Sequence, residues 1–292
     1  MKSQRPSSWS PAIAELKFAG HLLAQNRVVL AGTLVTVAVI ITAIISPIVI
    51  GPSVEHAIDL PNRLLAPSSQ HWLGTDDWGR DLFQIIVLST RIDVSASLTI
   101  VGADLVIGVL LGAFSAFIGG KFDEVMMRIT DIFLSIPGLV LALAVSAALG
   151  RGLNNLILAI IIVGWTGYTR ILRGQVLAEK ERLYVDALRA LGIGRLRLII
   201  RHVIPNTIYP VLVQATLDLG GVILTFAALS FLGFGATALT PELGRLVTSG
   251  QTYVFQAPWL VAFPGLTILI ISLAFNLVGD GIRDVLDPRL RR

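Results

Sequence analysis

Cysteine is absent from all 292 residues. That excludes disulfides, thiolate zinc sites and a cysteine nucleophile. Charge is scarce as well: Asp, Glu, Lys and Arg make up 14% of the chain, against roughly 25% in ordinary soluble domains. The histidines His21, His56, His71 and His202 are scattered without metal-ligand spacing. No Gly-x-x-x-x-Gly-Lys-Ser/Thr loop occurs, so nothing in the chain is suited to cradling nucleotide phosphates. Neither a Gly-x-Ser-x-Gly elbow nor a His-Glu-x-x-His pair is present, and an enzyme reading has no residues to carry it.

What the sequence has in abundance is apolar surface: 54% hydrophobic residues and a mean hydropathy of +0.78. About 20 apolar helical residues cross a ~30 Å hydrocarbon core. Six such stretches stand out: Val28–Ile50, Val94–Ile118, Ile129–Leu149, Leu156–Leu172, Ile208–Phe234 and Trp259–Val278. The expected class is therefore an all-α membrane protein with about six transmembrane helices. The fourth stretch is the shortest; it starts as early as Leu153 or runs on into the polar helix that follows. The first is too long for a signal peptide and no small-x-small site follows it, so it reads as a retained span.

Of the 23 lysines and arginines, 18 fall in segments on one side of such a six-span arrangement and 5 on the other. The positive-inside rule then places both termini in the cytoplasm, N-in and C-in. The pI near 9.8 is a topology signal and not a nucleic-acid footprint. The chain divides into a cytoplasmic segment 1–27, a first transmembrane helix 28–50 and an extracytoplasmic connection 51–93. A five-helix core 94–280 and a cytoplasmic tail 281–292 complete it. Within the core, the cytoplasmic segment 173–207 carries the densest charge. It reads as a helix over Gln175–Leu191, a break at Gly192-Ile193-Gly194, and a second helix Arg195–Ile204 before Pro205.

In the first of these helices, Ala187, Ala190 and Leu191 fall at i, i+3 and i+4 and form a small apolar stripe. Small side chains let another protein approach the backbone, with Tyr184, Leu188 and flanking arginines such as Arg195 supplying contact area. Gly192 permits a sharp turn. The pattern by itself fits an amphipathic helix on lipid headgroups equally well.

Other residues carry a functional and a structural reading side by side. Asp104 and Asp218 sit inside predicted spans, where a carboxylate costs about 2.5–3.5 kcal/mol. They either line a pore and meet a substrate amine, or bond a neighbouring helix or sit as neutral protonated acids. Pro137-Gly138 and Pro264-Gly265 interrupt spans three and six, as hinges or as ordinary membrane-helix kinks. Gly108 and Gly112 form a Gly-x-x-x-Gly spacing that allows close helix contact. Before span two, Gly74 and Asp76 suggest a tight turn in which Asp76, Arg80 and Asp81 form ion pairs, either as a structural plug or as an external contact surface.

The run Tyr184–Gly192 resembles the cytoplasmic EAA loop of ABC importer permeases. That loop has Glu-Ala-Ala, three residues, Gly, nine residues, and Ile-x-Leu-Pro. Here Asp186-Ala187-Leu188, Gly192 and His202-Val203-Ile204-Pro205 stand at the same spacing. The departures are Asp186, Leu188, His202 and Ile204. Further stretches, in order, resemble the second permease subunit of dipeptide, oligopeptide and nickel importers. They are Asn26-Arg27, His71–Asp76 with Gly79-Arg80-Asp81, Ser135–Gly138, Leu229–Gly233, Ala257-Pro258-Trp259 and Asn276–Asp284 with Asp287-Pro288-Arg289. Many members carry a glutamate where this chain has Phe226.

The resemblance implies a type I ABC importer permease fold in a prokaryotic plasma membrane, forming half of a translocation pore. Its implied partners are a second permease subunit, two ATPase subunits and an extracytoplasmic substrate-binding protein. It implies no cofactor on this chain, with ATP and Mg²⁺ held by the ATPase subunits. The implied coupling residues are Tyr184, Asp186, Ala187, Leu188, Ala190, Leu191, Gly192, Arg195 and Pro205. Peptides are the expected cargo, with nickel chelates or oligosaccharides as alternatives. An autonomous ion-coupled transporter is the competing class, to which Asp104 and Asp218 lend slight support.

Overall fold

The computed structural model describes residues 26–51, 57–236 and 240–286. Helix α1 (Arg27–Val49) starts at an Asn26 cap whose side chain accepts from the Val28 and Val29 N–H groups. The expected segment 1–27 lies almost wholly outside the described residues, as does the tail beyond 286. Helix α1 is apolar on nearly every face and half of it is exposed, as expected for a helix bathed in lipid.

Helix α2 (Leu82–Ile118) has 37 residues and begins at Leu82, not Val94 as the hydropathy suggests. Its first turns carry Gln84, Ser89, Thr90, Arg91 and Asp93, which lower the hydropathy without breaking the helix. Asp81 caps it by accepting from the Gln84 N–H at 3.1 Å.

The expected third span, Ile129–Leu149, is two helices: α3 (Gly120–Leu134) and α4 (Gly138–Leu149), bent by 92°. Pro137 lacks an N–H and disfavours helical backbone in the residue before it, so the chain turns there. Helix α4, at 12 residues, is too short to cross a ~30 Å core alone.

Helix α5 (Leu153–Glu179) extends the expected Leu156–Leu172 at both ends. The expected continuous helix Gln175–Leu191 is broken at Lys180–Arg182, and α6 (Leu183–Ala190) follows as a separate helix. No glycine or proline marks that break. There the Arg182 N–H turns back to the Glu179 carbonyl at 3.1 Å, and Tyr184 is held between Glu179 and Asn206. After Gly192 come α7 (Arg195–Leu198), a wide π-type turn over Ile199–Val203, and α8 (Ile204–Thr207). Pro205 sits in the first turn of α8, where its missing N–H costs nothing, so the helical path passes through it.

Helix α9 (Tyr209–Leu229) ends in a second π-type turn, Ser230–Phe234, where Gly233 has φ +92°. Helix α10 (Leu243–Gln251), which hydropathy does not reveal, precedes α11 (Trp259–Leu286). Pro264 lies inside a continuous α11 and does not interrupt it.

Among the described residues, five helices are long and apolar enough to cross a membrane, or six if the bent α3–α4 pair counts as one span. Two apolar clusters mark opposite ends of the bundle. One joins Leu82, Ile85, Leu243, Leu246 and Leu260 beneath residues 57–81. The other joins Ala113, Ala116, Leu172, Val176, Val185 and Leu198 beneath α6–α8.

The Gly108–Gly112 pair packs within the subunit, against α5. A Cβ on Gly112 would lie 2.6 Å from the Thr169 carbonyl oxygen and 3.2 Å from the Arg173 nitrogen. Gly112→Leu should therefore force α2 and α5 apart and destabilise the fold by about 1–3 kcal/mol. A fall in the melting temperature of the purified protein is the expected result, and an unchanged melt would refute the packing role.

Candidate functional site

Helix α6 is anchored on one side and bare on the other. Val185 is fully buried among Val176, Leu198 and Val203. The Tyr184 hydroxyl donates to Glu179 Oε1 at 2.9 Å, and Asn206 Nδ2 donates to the Tyr184 oxygen at 3.2 Å. Burial first, and then the Glu179 carboxylate, push the Tyr184 hydroxyl above its ordinary range, so it remains a donor. One tyrosine thus ties the end of α5 to the approach of α9. Arg189 sits 5.7 Å over the Phe117 ring and ties α6 to the end of α2.

The opposite face of α6 carries Leu183, Ala187, Ala190 and Leu191, all exposed, with Leu183 at 87% and Leu191 at 78%. Asp186 bonds Arg189 on the surface at 3.1 Å. Gly192 has φ +79°, a conformation that L side chains rarely adopt. It turns the chain so that the Ile193 N–H reaches the Leu188 carbonyl at 3.2 Å. Arg195 and Pro205 are exposed beyond the turn. Of the expected coupling residues, Tyr184 and Leu188 face partly inward and serve as anchors; the others are available to a partner.

Charged residues that the sequence pattern does not single out brace this end. Arg173 holds Asp123 through Nε and Nη2, both at 2.6 Å, and Ser115 Oγ donates to the same carboxylate at 2.5 Å. Arg170 pairs with Asp131. The two pairs fasten α3 to α5. Their partners lie 39 and 50 residues apart, which no local spacing would reveal.

At mid-bundle, Asp104 and Asp218 line one cavity of about 270 Å³ between α2, α4, α5 and α9, together with Tyr168. Asp104 is 2% exposed. Phe226, in contrast, is fully buried against Ile100, Leu156 and Leu229 and does not line that cavity. Pro137 makes the α3–α4 bend beside that cavity, while Pro264 is remote from it.

At the far end, Asp76 accepts from the Trp78 and Arg80 N–H groups at 2.9 and 2.8 Å and from Arg80 Nε at 2.7 Å. Both side chains are buried, at 1% and 4% exposure. Asp81 pairs instead with His71 at 2.8 Å. Nearby, Glu242 caps α10 by accepting from the Gly244 and Arg245 N–H groups, and Ser230 donates to it. Burial pushes the Glu242 carboxyl up to about 7. The buried Asp93 of α2 accepts from the Leu243 N–H at 3.3 Å, so α10 is clamped by two acids from distant segments.

Against this geometry, comparison with known proteins is decisive. Residues 108–292 match the model for the binding-protein-dependent transport system inner membrane component. The chain belongs to that family. It is 45% identical, over 87% of both chains, to the probable D,D-dipeptide transport system permease protein of Escherichia coli K12. It is 38% identical to the dipeptide transport system permease protein of Alkalihalophilus pseudofirmus, over 98% of this chain and 91% of that one. The nickel transport system permease protein of E. coli K12 is 40% identical over 82% of this chain and 86% of its own.

The inward-facing MetNI methionine ABC transporter shares the fold. Its TM-score is 0.57 at 18% identity, covering 70% of this chain and 98% of that one. This permease is thus a multi-pass prokaryotic plasma-membrane protein, a subunit of an ABC importer of the peptide and nickel group.

Proposed function

We propose that this permease forms half of the pore of a di- or oligopeptide importer and that α6 is the dock through which ATPase subunits drive it. Its partners would be a second permease, two ATPase subunits and an extracytoplasmic binding protein. The observation that carries the coupling role is the two-faced character of α6. Its bare apolar stripe invites a protein partner, while Tyr184 and Val185 bind the helix to the ends of two membrane helices. A push on the stripe would move α5 and α9 together, because a packed interior transmits strain rather than absorbing it.

Orientation follows from charge. The end carrying α6–α8 holds Arg170, Arg173, Lys180, Arg182, Arg189, Arg195, Arg197 and Arg201, which supports placing it in the cytoplasm. Residues 57–81 then face outward, towards the binding protein. ATP and Mg²⁺ belong to the ATPase subunits.

The names of the relatives favour peptides over nickel. The test is the reconstituted complex with candidate binding proteins added. Peptide-loaded binding protein should stimulate ATP turnover several-fold over the unliganded form. Stimulation by a sugar- or metal-chelate-loaded protein alone would overturn the peptide assignment.

A further inference from the structure

The mid-bundle cavity holds two carboxylates and no compensating cation among its lining residues. Asp104 is buried, and its Oδ1 has no hydrogen-bond partner among the described residues. The Tyr168 hydroxyl is buried on the same cavity wall as Asp218 and has no hydrogen-bond partner of normal geometry among the described residues. Gln214 Nε2 donates to Asp218 Oδ1 at 2.8 Å. A buried carboxylate oxygen with no donor is costly. The local backbone makes room for this one: a Cβ on Gly164 would collide with the Asp104 carboxylate.

Apart from the Thr225 hydroxyl, which donates to the Gly221 carbonyl at 3.0 Å, the rest of the wall is apolar, from Leu139, Ala142, Ile160 and Val222, and Gly221 stands at the rim, exposed. The site therefore presents acceptors to a donor that comes from outside the chain.

We propose that this cavity is a transient seat for a primary ammonium group, the free amino terminus of a short peptide in transit. This rests on the peptide-permease reading above and adds the chemical group the pathway recognises. An ammonium is compact and brings three N–H donors with one positive charge, matching two carboxylates and a hydroxyl around a small space. A hard divalent cation is held by several carboxylates or carbonyls at once, and no cluster of three or more such acid or imidazole ligands exists here among the described residues. The volume, about 270 Å³, lies below the roughly 300–1,000 Å³ typical of pockets that enclose a whole drug-sized ligand. It suits one end of a peptide and not all of it. The seat would be shallow by design, since a pathway must release what it binds.

The cysteine-free sequence makes a direct test available. A Cβ on Gly221 meets nothing within 4 Å, so Gly221→Cys introduces a single thiol at the rim without a clash. In the assembled transporter, that thiol is labelled with a methanethiosulfonate bearing a primary ammonium, or with its sulfonate counterpart. Each rate is normalised to the reagent's rate with a free thiol and read as a mass shift on this chain. The ammonium reagent should react roughly tenfold faster or more, and adding Asp104→Asn with Asp218→Asn should bring the two rates within about twofold. A free-amino dipeptide should slow the labelling, and its N-acetyl form should not.

Equal normalised rates, a preference that survives both Asn substitutions, or no reaction with either reagent in the assembled complex would overturn the proposal. If the double variant does not assemble, Asp218→Asn alone, at a half-buried position, carries the same comparison. Labelling requires no transport, so a failed seat is distinguishable from a failed permease assignment, which the ATP-turnover experiment decides.

Discussion

Ala187→Trp should release the ATPase subunits while leaving the permease folded. Ala187 lies in the middle of the exposed stripe of α6, flanked by Leu183, Ala190 and Leu191. On the isolated chain, a tryptophan there projects into open space and disturbs nothing. Against a docked partner it overfills the one place where backbones can meet closely, at a cost on the order of 3 kcal/mol, roughly a hundredfold in affinity. Co-purification of the ATPase subunits should fall steeply and transport should vanish, with the permease's melting temperature unchanged.

Gly192→Ala separates the dock from the turn that holds it. A side chain at φ +79° costs about 1–2 kcal/mol and strains the Ile193-to-Leu188 bond. It should weaken coupling less than the tryptophan does. Intact co-purification with full transport in Ala187→Trp would remove α6 as the coupling element.

Asp76→Ala should unfold the lobe at the opposite end. The Asp76 carboxylate satisfies the Arg80 guanidinium and two backbone N–H groups in a buried setting. Breaking such a buried pair by removing one member typically costs about 3–5 kcal/mol. The turn also rests on Gly79 at φ +81° and on Gly74, which packs against the Trp259 ring. Loss of Asp76 should therefore loosen residues 57–81 as a unit. Limited trypsin digestion at Arg63 and Arg80 reads this out, and cleavage should become rapid in the variant. Should the lobe matter only as a contact surface, the variant would keep its protease resistance and melt normally while binding-protein stimulation fell.

The two substitutions sort the ends of the bundle by physical type. The α6 face is poorly buried, and in the proposed coupling role its worth lies in what it meets. The 57–81 lobe is held by a buried ion pair and turn geometry, and its worth to the fold precedes any contact. The proline positions divide in the same way. Pro137 caps α4 at the 92° bend, while Pro264 lies within an unbroken helix. Both prolines are followed by glycine, yet only Pro137 stands at a break between helices.

From the sequence by itself came the membrane class, because an excess of apolar side chains over charge is a bulk property that needs no contacts to read. Four of the spans also came through in outline, as did the Asp186–Pro205 motif and the helix-breaking glycine at its centre, because propensity and spacing are local. Only the tertiary structure decided where α2 begins, since the polar first turns of that helix are buried against α10 and α11. It alone broke the helix at Lys180–Arg182, where Glu179 and Tyr184 meet. It also brought Asp104, Tyr168 and Asp218 to one cavity, and Asp93 to the start of α10. In all but the Lys180–Arg182 break the deciding partners lie far apart along the chain, and only packing brings side chains so distant in sequence within reach of each other.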